Sequence, residues 1–579
     1  MKQLLLGNKA LARGLYEAGV SVVSSYPGTP STEVTEELAK FDEVYSEWAP
    51  NEKVAMETAF GAALAGKRSF CGMKHVGLNV AADPLFTCSY TGVNGGLVIC
   101  VADDAGMHSS QNEQDSRHYA VAAKIPMLEP SDSEEAYAFA FKAYEISETF
   151  DTPVLVKMCT RVAHSQSVVE TGERIVPEPK PYVKNIAKYV MSPANAIRRH
   201  PFVEERTLKL KAFAETTDLN RLEMGGTKMG IITSSTSYQY VKEVFGDSVS
   251  ILKLGMVHPL PEQKIRQLAE ACEQLIVVEE LDPIIEDQVR AMGLQVHGKD
   301  LLPICGEYSQ NLLAERLGGT VPPYKGLAEA LPIRPPVMCA GCPHRGLFFT
   351  LAKHKITVLG DIGCYTLGAA APLNAMEMTL CMGASINAVH GFNKALGQAS
   401  EGKTVAVIGD STFMHSGMTG LANVAYNQSN STVIILDNSI TGMTGHQQNP
   451  TTGYNIKGDP AGKIDLEALC KAMGFTRVRV VDPYDLAACD TAITEELAAE
   501  EASVIISRRP CALLKYVKHN PPLKVDTNKC IGCKSCMRLG CPAISIKEGK
   551  AVIDATLCVG CGVCSQLCRF GALGGTDND

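Results

Sequence analysis

The stretch Val405-Ala-Val-Ile-Gly-Asp410-Ser411-Thr-Phe413 decides the fold, together with its counterpart Ile434-Ile-Leu-Asp-Asn438-Ser-Ile440. Each is an apolar run that ends in a polar residue, as a buried strand does at the carboxyl edge of a parallel sheet. Similar apolar runs recur at Gly96–Asp103, Pro153–Arg161, Met229–Thr233, Leu275–Glu279 and Val504–Ser507. Helical stretches such as Asn51–Lys67 and Ser133–Phe150 lie between them. This alternation predicts an α/β fold with doubly wound parallel sheets.

Composition excludes several classes of function. The chain has 579 residues and a formal net charge of −9, with no basic stripe, so we expect no nucleic-acid partner. No run of about 20 apolar residues is present, which argues against a membrane span, and the N-terminal apolar run is too short for a signal peptide. Outside the final cysteine runs, 13 of the 21 cysteines are scattered through apolar segments, as in reduced proteins. We therefore expect a soluble cytoplasmic protein.

Three polar or proline-rich stretches divide the chain: Ser165–Gly226, Val321–Pro336 and Lys518–Pro522. They predict four domains, over residues 1–190, 225–320, 335–515 and 523–579. The last is too small to bury a large core, so its folding is expected to depend on bound metal.

That last domain carries two cysteine runs, Cys530-x2-Cys533-x2-Cys536-x4-Cys541-Pro542 and Cys558-x2-Cys561-x2-Cys564-x3-Cys568. Eight thiolates at this spacing are the ligand set of two [4Fe–4S] clusters, and in doubled runs the fourth Cys binds the other cluster. The predicted sets are therefore Cys530, Cys533, Cys536 with Cys568, and Cys558, Cys561, Cys564 with Cys541. The alternatives are a zinc site or disulfides, but zinc favours separate pairs of Cys-x2-Cys units.

The two runs form a repeat, in which Asp526 and Cys530 recur as Asp554 and Cys558. Between them, Glu548-Gly549 separates two short apolar stretches and predicts a hairpin. The first run has four residues before its last Cys, where three are usual. We expect this departure to affect the potential or lability of the cluster rather than its formation.

The Gly-Asp410…Asn438 pattern predicts a metal site. A carboxylate from Asp410, an amide oxygen from Asn438 and the Ile440 carbonyl are ligands that Mg²⁺ prefers, and a diphosphate would lie at the following helix N-terminus, near Ser411 or Gly417. The pattern resembles the thiamine diphosphate motif, a Gly-Asp-Gly followed by Asn, although Ser411 replaces the second Gly. The alternative is an ordinary strand-loop of a doubly wound sheet.

Thiamine chemistry also needs a carboxylate that holds a proton against the aminopyrimidine ring. Glu52 suits this role because it begins a helix rich in Ala and Gly, where close packing would remove the carboxylate from water. The alternative is a helix N-terminal Glu favoured by the helix dipole. Glu57 is the second candidate.

Several segments resemble the 2-oxoacid:ferredoxin oxidoreductase family. Ser25-Tyr26-Pro27-Gly28-Thr29-Pro30-Ser31-Thr32 resembles the signature of its pyrimidine-binding domain, and Lys253–Pro261 resembles its transketolase-C-like domain. The loop Thr441–Gln447, with Gly445 and His446, resembles the cofactor-binding loop after the metal ligands. Asp103–Asp115 resembles the α subunits of the indolepyruvate branch more than the pyruvate enzymes.

The resemblance implies two thiamine-diphosphate-binding domains, then a ferredoxin-like tail, with Thr29 near the substrate and thiazolium. Cys339, Cys342, Cys364 and Cys511 occupy places that resemble a third cluster site, the alternative being structural thiols. The implied reaction is oxidative decarboxylation of arylpyruvates such as indolepyruvate, with coenzyme A as acyl acceptor and ferredoxin as electron acceptor.

The alternatives are a ferredoxin oxidoreductase of pyruvate or another aliphatic 2-oxoacid, a non-oxidative thiamine decarboxylase, and an electron-transfer subunit whose thiamine half is degenerate. The γ-like domain of related enzymes has no counterpart here, so the resemblance also implies a smaller β subunit that carries it. Thiamine enzymes often bind the cofactor across protomers, so a dimer of heterodimers is expected.

Overall fold

A computed structural model describes residues 1–178, 180–321, 326 and 329–574. The chain forms two compact units, Met1–Leu327 and Ala328–Asp579. Pro179, Pro322 and Pro323, which helped to mark the predicted joints, lie outside the described residues. The boundaries of the four predicted domains stay predictions.

The elements of the first unit alternate as the sequence predicts. Its strands are β1 (Lys2–Leu6), β2 (Val22–Ser25), β3 (Tyr45–Trp48), β4 (Ser69–Lys74), β5 (Leu97–Asp103), β6 (Met127–Leu128), β7 (Val154–Cys159), β8 (Gln166–Glu170), β9 (Asn220–Glu223), β10 (Met229–Ser234), β11 (Ser250–Leu254), β12 (Met256–His258) and β13 (Gln274–Val278). Its helices are α1 (Gly7–Glu17), α2 (Thr32–Leu38), α3 (Glu52–Leu64), α4 (His75–Val80), α5 (Ala82–Thr91), α6 (Arg117–Ala123), α7 (Ser133–Phe150), α8 (Thr160–His164), α9 (Ile186–Tyr189), α10 (Pro193–Thr216), α11 (Ser235–Phe245), α12 (Glu262–Ala271), α13 (Ile284–Ala291) and α14 (Gln310–Leu317).

A seven-stranded sheet in the order β12-β6-β7-β5-β4-β2-β3 is the centre of this unit. All its neighbouring strands are parallel except β12, which pairs antiparallel with β6. Along β5, Val98 and Cys100 pack into one core and Ile99 and Val101 into the other, so apolar helices cover both faces. The predicted doubly wound α/β architecture is confirmed.

A second sheet, in the order β13-β10-β11-β9, packs onto the same unit and shares one of its cores. The polar stretch Ser165–Gly226, marked as a joint by composition, contains regular elements: β8, the short helix α9, the long helix α10 and β9. Strand β12 then returns to the edge of the seven-stranded sheet. These pairings join positions far apart in sequence, which local composition does not encode.

The second unit contains a five-stranded parallel sheet and the cysteine-rich tail. Its strands are β14 (Thr357–Leu359), β15 (Thr404–Gly409), β16 (Thr432–Asp437), β17 (Arg477–Val481), β18 (Ser503–Arg508), β19 (Lys524–Val525), β20 (Ile544–Lys547), β21 (Lys550–Ile553) and β22 (Leu573–Gly574). Its α-helices are α15 (His344–His354), α16 (Ala384–Leu396), α17 (Asp410–Thr412), α18 (Met418–Tyr426), α19 (Leu466–Ala472) and α20 (Leu486–Leu497).

The five-stranded sheet has the order β14-β15-β16-β18-β17, which makes β15 and β16, the two strands that decide the fold, direct neighbours. In the tail, β19 pairs with β22, and β20 pairs with β21 in the predicted hairpin around Glu548-Gly549. Over the described residues, none of the helices has the length and apolar character needed to cross a membrane.

Candidate functional site

Thr29 and Glu52 follow neighbouring parallel strands of the first unit. Thr29 lies half-buried in the loop after β2, and Glu52 is buried at the start of α3, shortly after β3. Because carboxyl ends of parallel strands meet at one edge of a sheet, the two residues share that edge. The Asn51 side chain accepts a hydrogen bond from the Val54 amide and starts the helix there. Glu57, the second candidate, is exposed and paired with Lys53, so burial favours Glu52.

Glu52 packs tightly against Gly77, in α4. A Cβ atom added at Gly77 would lie 2.4 Å from Glu52 Oε1 and 2.6 Å from its Cγ. The thiol of Cys71 is another neighbour: burial, with the nearby Glu52 carboxylate adding to it, raises the pKa of Cys71 well above its ordinary value. The local sequence does not single out Gly77, because its close contact is with Glu52 at the start of a different helix, α3.

We expect Gly77→Ala to displace the Glu52 carboxylate. With Glu52 in the catalytic role that the family resemblance implies, this should lower the rate of 2-oxoacid oxidation by about 100-fold, the scale of a 1 Å misplacement of a catalytic group. The assay is substrate-dependent viologen reduction. Gly61→Ala, in α3, is the matched control, since an added Cβ there meets nothing within 4 Å. It should leave the rate unchanged and stabilise the helix by about 0.5–1 kcal/mol. Equal rates for the two variants would contradict the role of the Gly77 contact.

In the second unit, three oxygens converge at the ends of β15 and β16. The Asn438 amide places one terminal atom 2.7 Å from the Ile440 carbonyl oxygen and 3.3 Å from Asp410 Oδ1. As an NH₂ group this atom would donate to both. As the oxygen, which is its orientation in the structure, it forms with them a group of three oxygens that a bound cation would stabilise. The same orientation directs Asn438 Nδ2 to within 3.5 Å of His344 Nε2.

His344 can accept that hydrogen bond because it is neutral. The imidazole is fully enclosed at the start of α15, and burial lowers its pKa to about 4. The donor set of Asp410, Asn438 and Ile440 therefore fits a magnesium ion.

Asp410 has neighbours that the sequence reasoning missed. Burial raises its pKa to about 8, and the nearby Asp437 carboxylate adds to the shift. The single hydroxyl proton of Thr451 faces two acceptors, Asn449 Oδ1 at 2.7 Å and Asp410 Oδ2 at 3.3 Å. A buried carboxylate with a second carboxylate nearby is costly in its charged form, and a bound cation would stabilise that form. The polar stretch Gln447–Thr451, which begins at the end of the loop Thr441–Gln447, was the sequence feature that could have indicated Asn449 and Thr451.

Ser411 lies at the start of a helical segment that begins at Asp410. Its amide donates to Asp410 Oδ1 at 2.7 Å, and its hydroxyl accepts from Thr441 at 2.9 Å. The segment continues through a π-helical turn, Phe413–Gly417, into α18. Gly417 is therefore inside the helix, not at its N-terminus, and a Cβ there would meet Ile408 at 2.7 Å. Of the two predicted diphosphate positions, only Ser411 lies at the N-terminal end of the helical segment.

The loop Thr441–Gln447 is closed by backbone hydrogen bonds between its two ends. Gly445 and His446 both have positive φ, 123° and 69°, so the chain turns sharply there. His446 Nε2 lies 3.8 Å from the Cys511 sulfur. The structure thus places the imidazole of His446 against a cysteine, and the cofactor-binding role of Gly445 and His446 stays a prediction.

Cys339, Cys342, Cys364 and Cys511 are brought together beside these oxygens. Burial raises the pKa of Cys364 to about 11, with Cys511 and Cys339 adding to it, and raises that of Cys342 to about 12, with Cys339 and Cys364 adding. The Cys511 amide donates to the Asn438 carbonyl oxygen at 2.9 Å. The four cysteines thus converge from three separate segments, as the ligands of a cluster must.

The tail holds its eight cysteines in two cavities. One is lined by Cys530, Cys533, Cys536 and Cys568, and the other by Cys541, Cys558, Cys561 and Cys564. The exchange of the fourth Cys between runs is the one predicted from the spacing. Cys342 also lines the second cavity, which connects it to the group around Cys511.

The repeat in sequence is also a repeat in structure. Cys530 and Cys558 each donate their amide to the carbonyl of the Asp four residues earlier, at 2.9 Å. Three sulfurs accept backbone hydrogen bonds: Cys530 from Ala551 at 3.4 Å, Cys558 from Gly560 at 3.5 Å and Cys568 from Ala572 at 3.2 Å. N–H···S bonds of this kind stabilise thiolates and tune cluster potentials.

The alternatives for these cysteines find no support in the geometry. Across the described part of the chain, no three Cys, His, Asp or Glu side chains converge on the position of one metal ion, as a zinc site needs. The cysteines are free thiols rather than disulfides. A cubane instead spreads four thiolates over four irons, so its ligands stand around a cavity.

Sequence profiles of three families match the chain. The profile for pyruvate flavodoxin/ferredoxin oxidoreductase, thiamine diphosphate-binding, covers residues 13–209; that for the C-terminal binding domain of thiamine pyrophosphate enzymes covers 361–507; and that of a 4Fe-4S dicluster domain covers 522–569. The chain is thus built to bind thiamine diphosphate and iron–sulfur clusters.

Relatives extend over nearly the full length. The indolepyruvate oxidoreductase subunit IorA of Pyrococcus horikoshii is 42% identical over 99% of this chain and 96% of its own length. The IorA subunit of Archaeoglobus fulgidus is 40% identical over 98% of this chain and 96% of its own length. A 2-oxoglutarate synthase subunit, KorA, of the same archaeon is 24% identical over 51% of this chain. The chain belongs to the IorA family of indolepyruvate oxidoreductase subunits.

Proposed function

We propose that the chain is the thiamine- and cluster-bearing subunit of an enzyme that oxidatively decarboxylates arylpyruvates to aryl-acetyl-CoA and reduces ferredoxin. Indolepyruvate is the proposed substrate, in keeping with the names of the relatives. One observation carries the proposal: the oxygens of Asp410, Asn438 and Ile440 adjoin a group of four cysteines that leads to the tail. Such a connection serves electron removal and has no use in simple decarboxylation.

Each site residue has a stated role in this proposal. Thiamine diphosphate, when bound, supplies the electron sink for loss of carbon dioxide. Asp410, Asn438 and the Ile440 carbonyl would hold Mg²⁺, and the Ser411 end of the helical segment would bind the diphosphate. Glu52 holds a proton against the aminopyrimidine, where its burial keeps water away. Thr29, at the same sheet edge, orients the substrate.

The proposed electron path has three stations. The first is a cluster at Cys339, Cys342, Cys364 and Cys511, beside the metal oxygens. Because Cys342 also lines the cavity of Cys541, Cys558, Cys561 and Cys564, that cavity is the second station. The third is the cavity of Cys530, Cys533, Cys536 and Cys568, where Cys533 is exposed. Electrons therefore leave at Cys533. Iron content distinguishes this path from one in which the first four cysteines are structural thiols.

The test is anaerobic viologen reduction by the chain co-expressed with its proposed smaller β subunit, with indolepyruvate or pyruvate and with or without coenzyme A. We expect coenzyme A-dependent reduction that prefers indolepyruvate. A preference for pyruvate would assign the aliphatic branch. No reduction with either substrate, despite bound thiamine diphosphate and intact clusters, would refute the oxidoreductase activity. The molecular mass of the purified complex tests the proposed dimer of heterodimers.

A groove beside Cys533 is the proposed exit to ferredoxin. Its walls include the exposed apolar side chains of Ile531 and Phe570 and the exposed guanidinium groups of Arg538 and Arg569. Neither arginine has a carboxylate within 4 Å in the described part of the chain. A basic rim around an apolar centre suits a small acidic iron–sulfur protein.

We expect the double substitution Arg538→Glu and Arg569→Glu to lower kcat/KM for ferredoxin by about tenfold or more at low salt, since it reverses electrostatic steering. Reduction of methyl viologen should not change. Lys547→Glu, an exposed reversal on the tail hairpin outside the groove, is the matched control. A similar loss for the control would show that only overall charge matters.

A further inference from the structure

Arg345, in α15, is a buried cation with no anionic partner. Its side chain is buried, with the whole residue 5% exposed, and over the described residues no carboxylate lies within 4 Å of it. Its guanidinium donates to three backbone carbonyls: Leu539 at 2.7 Å, Cys339 at 3.1 Å, and Met338. The Nε group has no hydrogen-bond partner among the described residues. The whole positive charge is thus enclosed among neutral acceptors.

Such an arrangement is costly unless a negative charge lies near. Burying a cation without a partner costs several kcal/mol, and carbonyl groups compensate only in part. Arg345 lines the cavity that also holds Cys541, Cys558, Cys561 and Cys564. Four thiolates around a cubane there carry net negative charge, which grows by one unit on reduction. A cluster bound in this cavity would supply the negative charge that Arg345 lacks.

The unusual spacing of the first cysteine run belongs to the same arrangement. Leu539 and Gly540 lie within the four residues between Cys536 and Cys541. Gly540 has a φ of 63°, and a Cβ there would lie 2.6 Å from Pro372 and 3.5 Å from Arg345 Nη1. The lengthened loop turns at Gly540 and presents the Leu539 carbonyl to the guanidinium.

We propose that Arg345 raises the reduction potential of the cluster held by Cys541, Cys558, Cys561 and Cys564. The cluster accepts one electron, with no bond made or broken, from the preceding station of the path. A fixed positive charge stabilises the reduced state of this cluster, which is one unit more negative than the oxidised state. Arg345 thus acts by placing a positive charge beside the cluster, and it takes no part in any bond change. The inference rests on the proposed function, because it requires clusters in these sites.

The test is a redox titration of the reconstituted complex with dithionite and mediators, followed by electron paramagnetic resonance. Three variants separate charge from hydrogen bonding: Arg345→Lys keeps the charge, Arg345→Gln keeps donors without it, and Arg345→Met removes both. At fixed ambient potential we expect the ratio of reduced to oxidised cluster to fall about tenfold in the Gln and Met variants, about 59 mV for one electron. The Lys variant should stay close to the parent, and the Cys530 cluster should not shift.

Unchanged potentials in the Gln and Met variants with full iron content would overturn the proposal. An equal shift in all three variants would also overturn it, because it would assign the effect to loop structure. If one neutral variant loses its cluster, comparison of the other neutral variant with the Lys variant still tests the proposal. The titration uses no 2-oxoacid, so failure of the proposed substrate reaction in the viologen assay is recognised separately.

Discussion

Replacement of Glu52 by glutamine is expected to lower the rate of 2-oxoacid oxidation by about 10²- to 10⁴-fold, the usual contribution of a positioned proton-transfer group. The carboxylate is buried at the start of α3 and packs against Gly77. Glutamine fills the same volume but cannot exchange a proton with the aminopyrimidine. The measurement is anaerobic viologen reduction with saturating substrate and coenzyme A.

A second readout separates cofactor activation from later steps. Exchange of the thiazolium C2 proton for deuterium, followed by NMR after acid quench, should slow to a similar degree in the Glu52→Gln variant. Bound thiamine diphosphate should remain, because the proposed metal and diphosphate ligands are in the second unit. Glu57→Gln, on the exposed face of the same helix, is the matched control and should leave both rates unchanged. A Glu52→Gln rate within twofold of the parent would remove Glu52 from the mechanism.

Cys541→Ala is expected to remove the cluster of Cys558, Cys561 and Cys564, with loss of about four irons, and to leave the cluster of its own run in place. The expectation follows from the cavities, in which Cys541 stands with the second run and Cys568 with the first. Since the affected cluster is the middle station of the proposed path, ferredoxin reduction should fall below detection.

Anaerobic alkylation followed by mass spectrometry identifies the lost cluster. In the Cys541→Ala variant, Cys558, Cys561 and Cys564 should become reactive, and in Cys568→Ala the same should hold for Cys530, Cys533 and Cys536. Cys470→Ala, at a buried thiol in the core of the second unit, is the control and should keep all the iron. If each variant instead exposed the cysteines of its own run, the exchange of the fourth ligand would be wrong.

Much of the architecture could be predicted from local sequence. Apolar runs that end in polar residues identified β15 and β16, and the helical pattern of Ser133–Phe150 matches α7 in full. The spacing of the cysteines also predicted which four share a cavity, because the short loops leave few ways to enclose a cubane. Asp410 was a candidate because a carboxylate follows an apolar strand there, and Glu52 because it begins a helix rich in Ala and Gly; the structure buries both side chains.

Other features could not be found this way. The stretch Ser165–Gly226 is polar, yet it forms α10 and two strands because its partners lie elsewhere in the chain. His446 stands in a loop that resembles a cofactor site, but the fold turns it towards Cys511. Thr451 lies beside Asp410 only because the loop after β16 folds back over it.

The sequence by itself determined the parallel α/β class, the order of the segments and the types of ligand, because these depend on periodicity and on spacing along the chain. The tertiary structure decided which groups meet. Gly77 matters through its contact with Glu52, and Arg345 through the carbonyl of Leu539 and a cavity of cysteines. Burial and proximity are set by packing between distant segments, and they turn a common Gly and a common Arg into parts of a site.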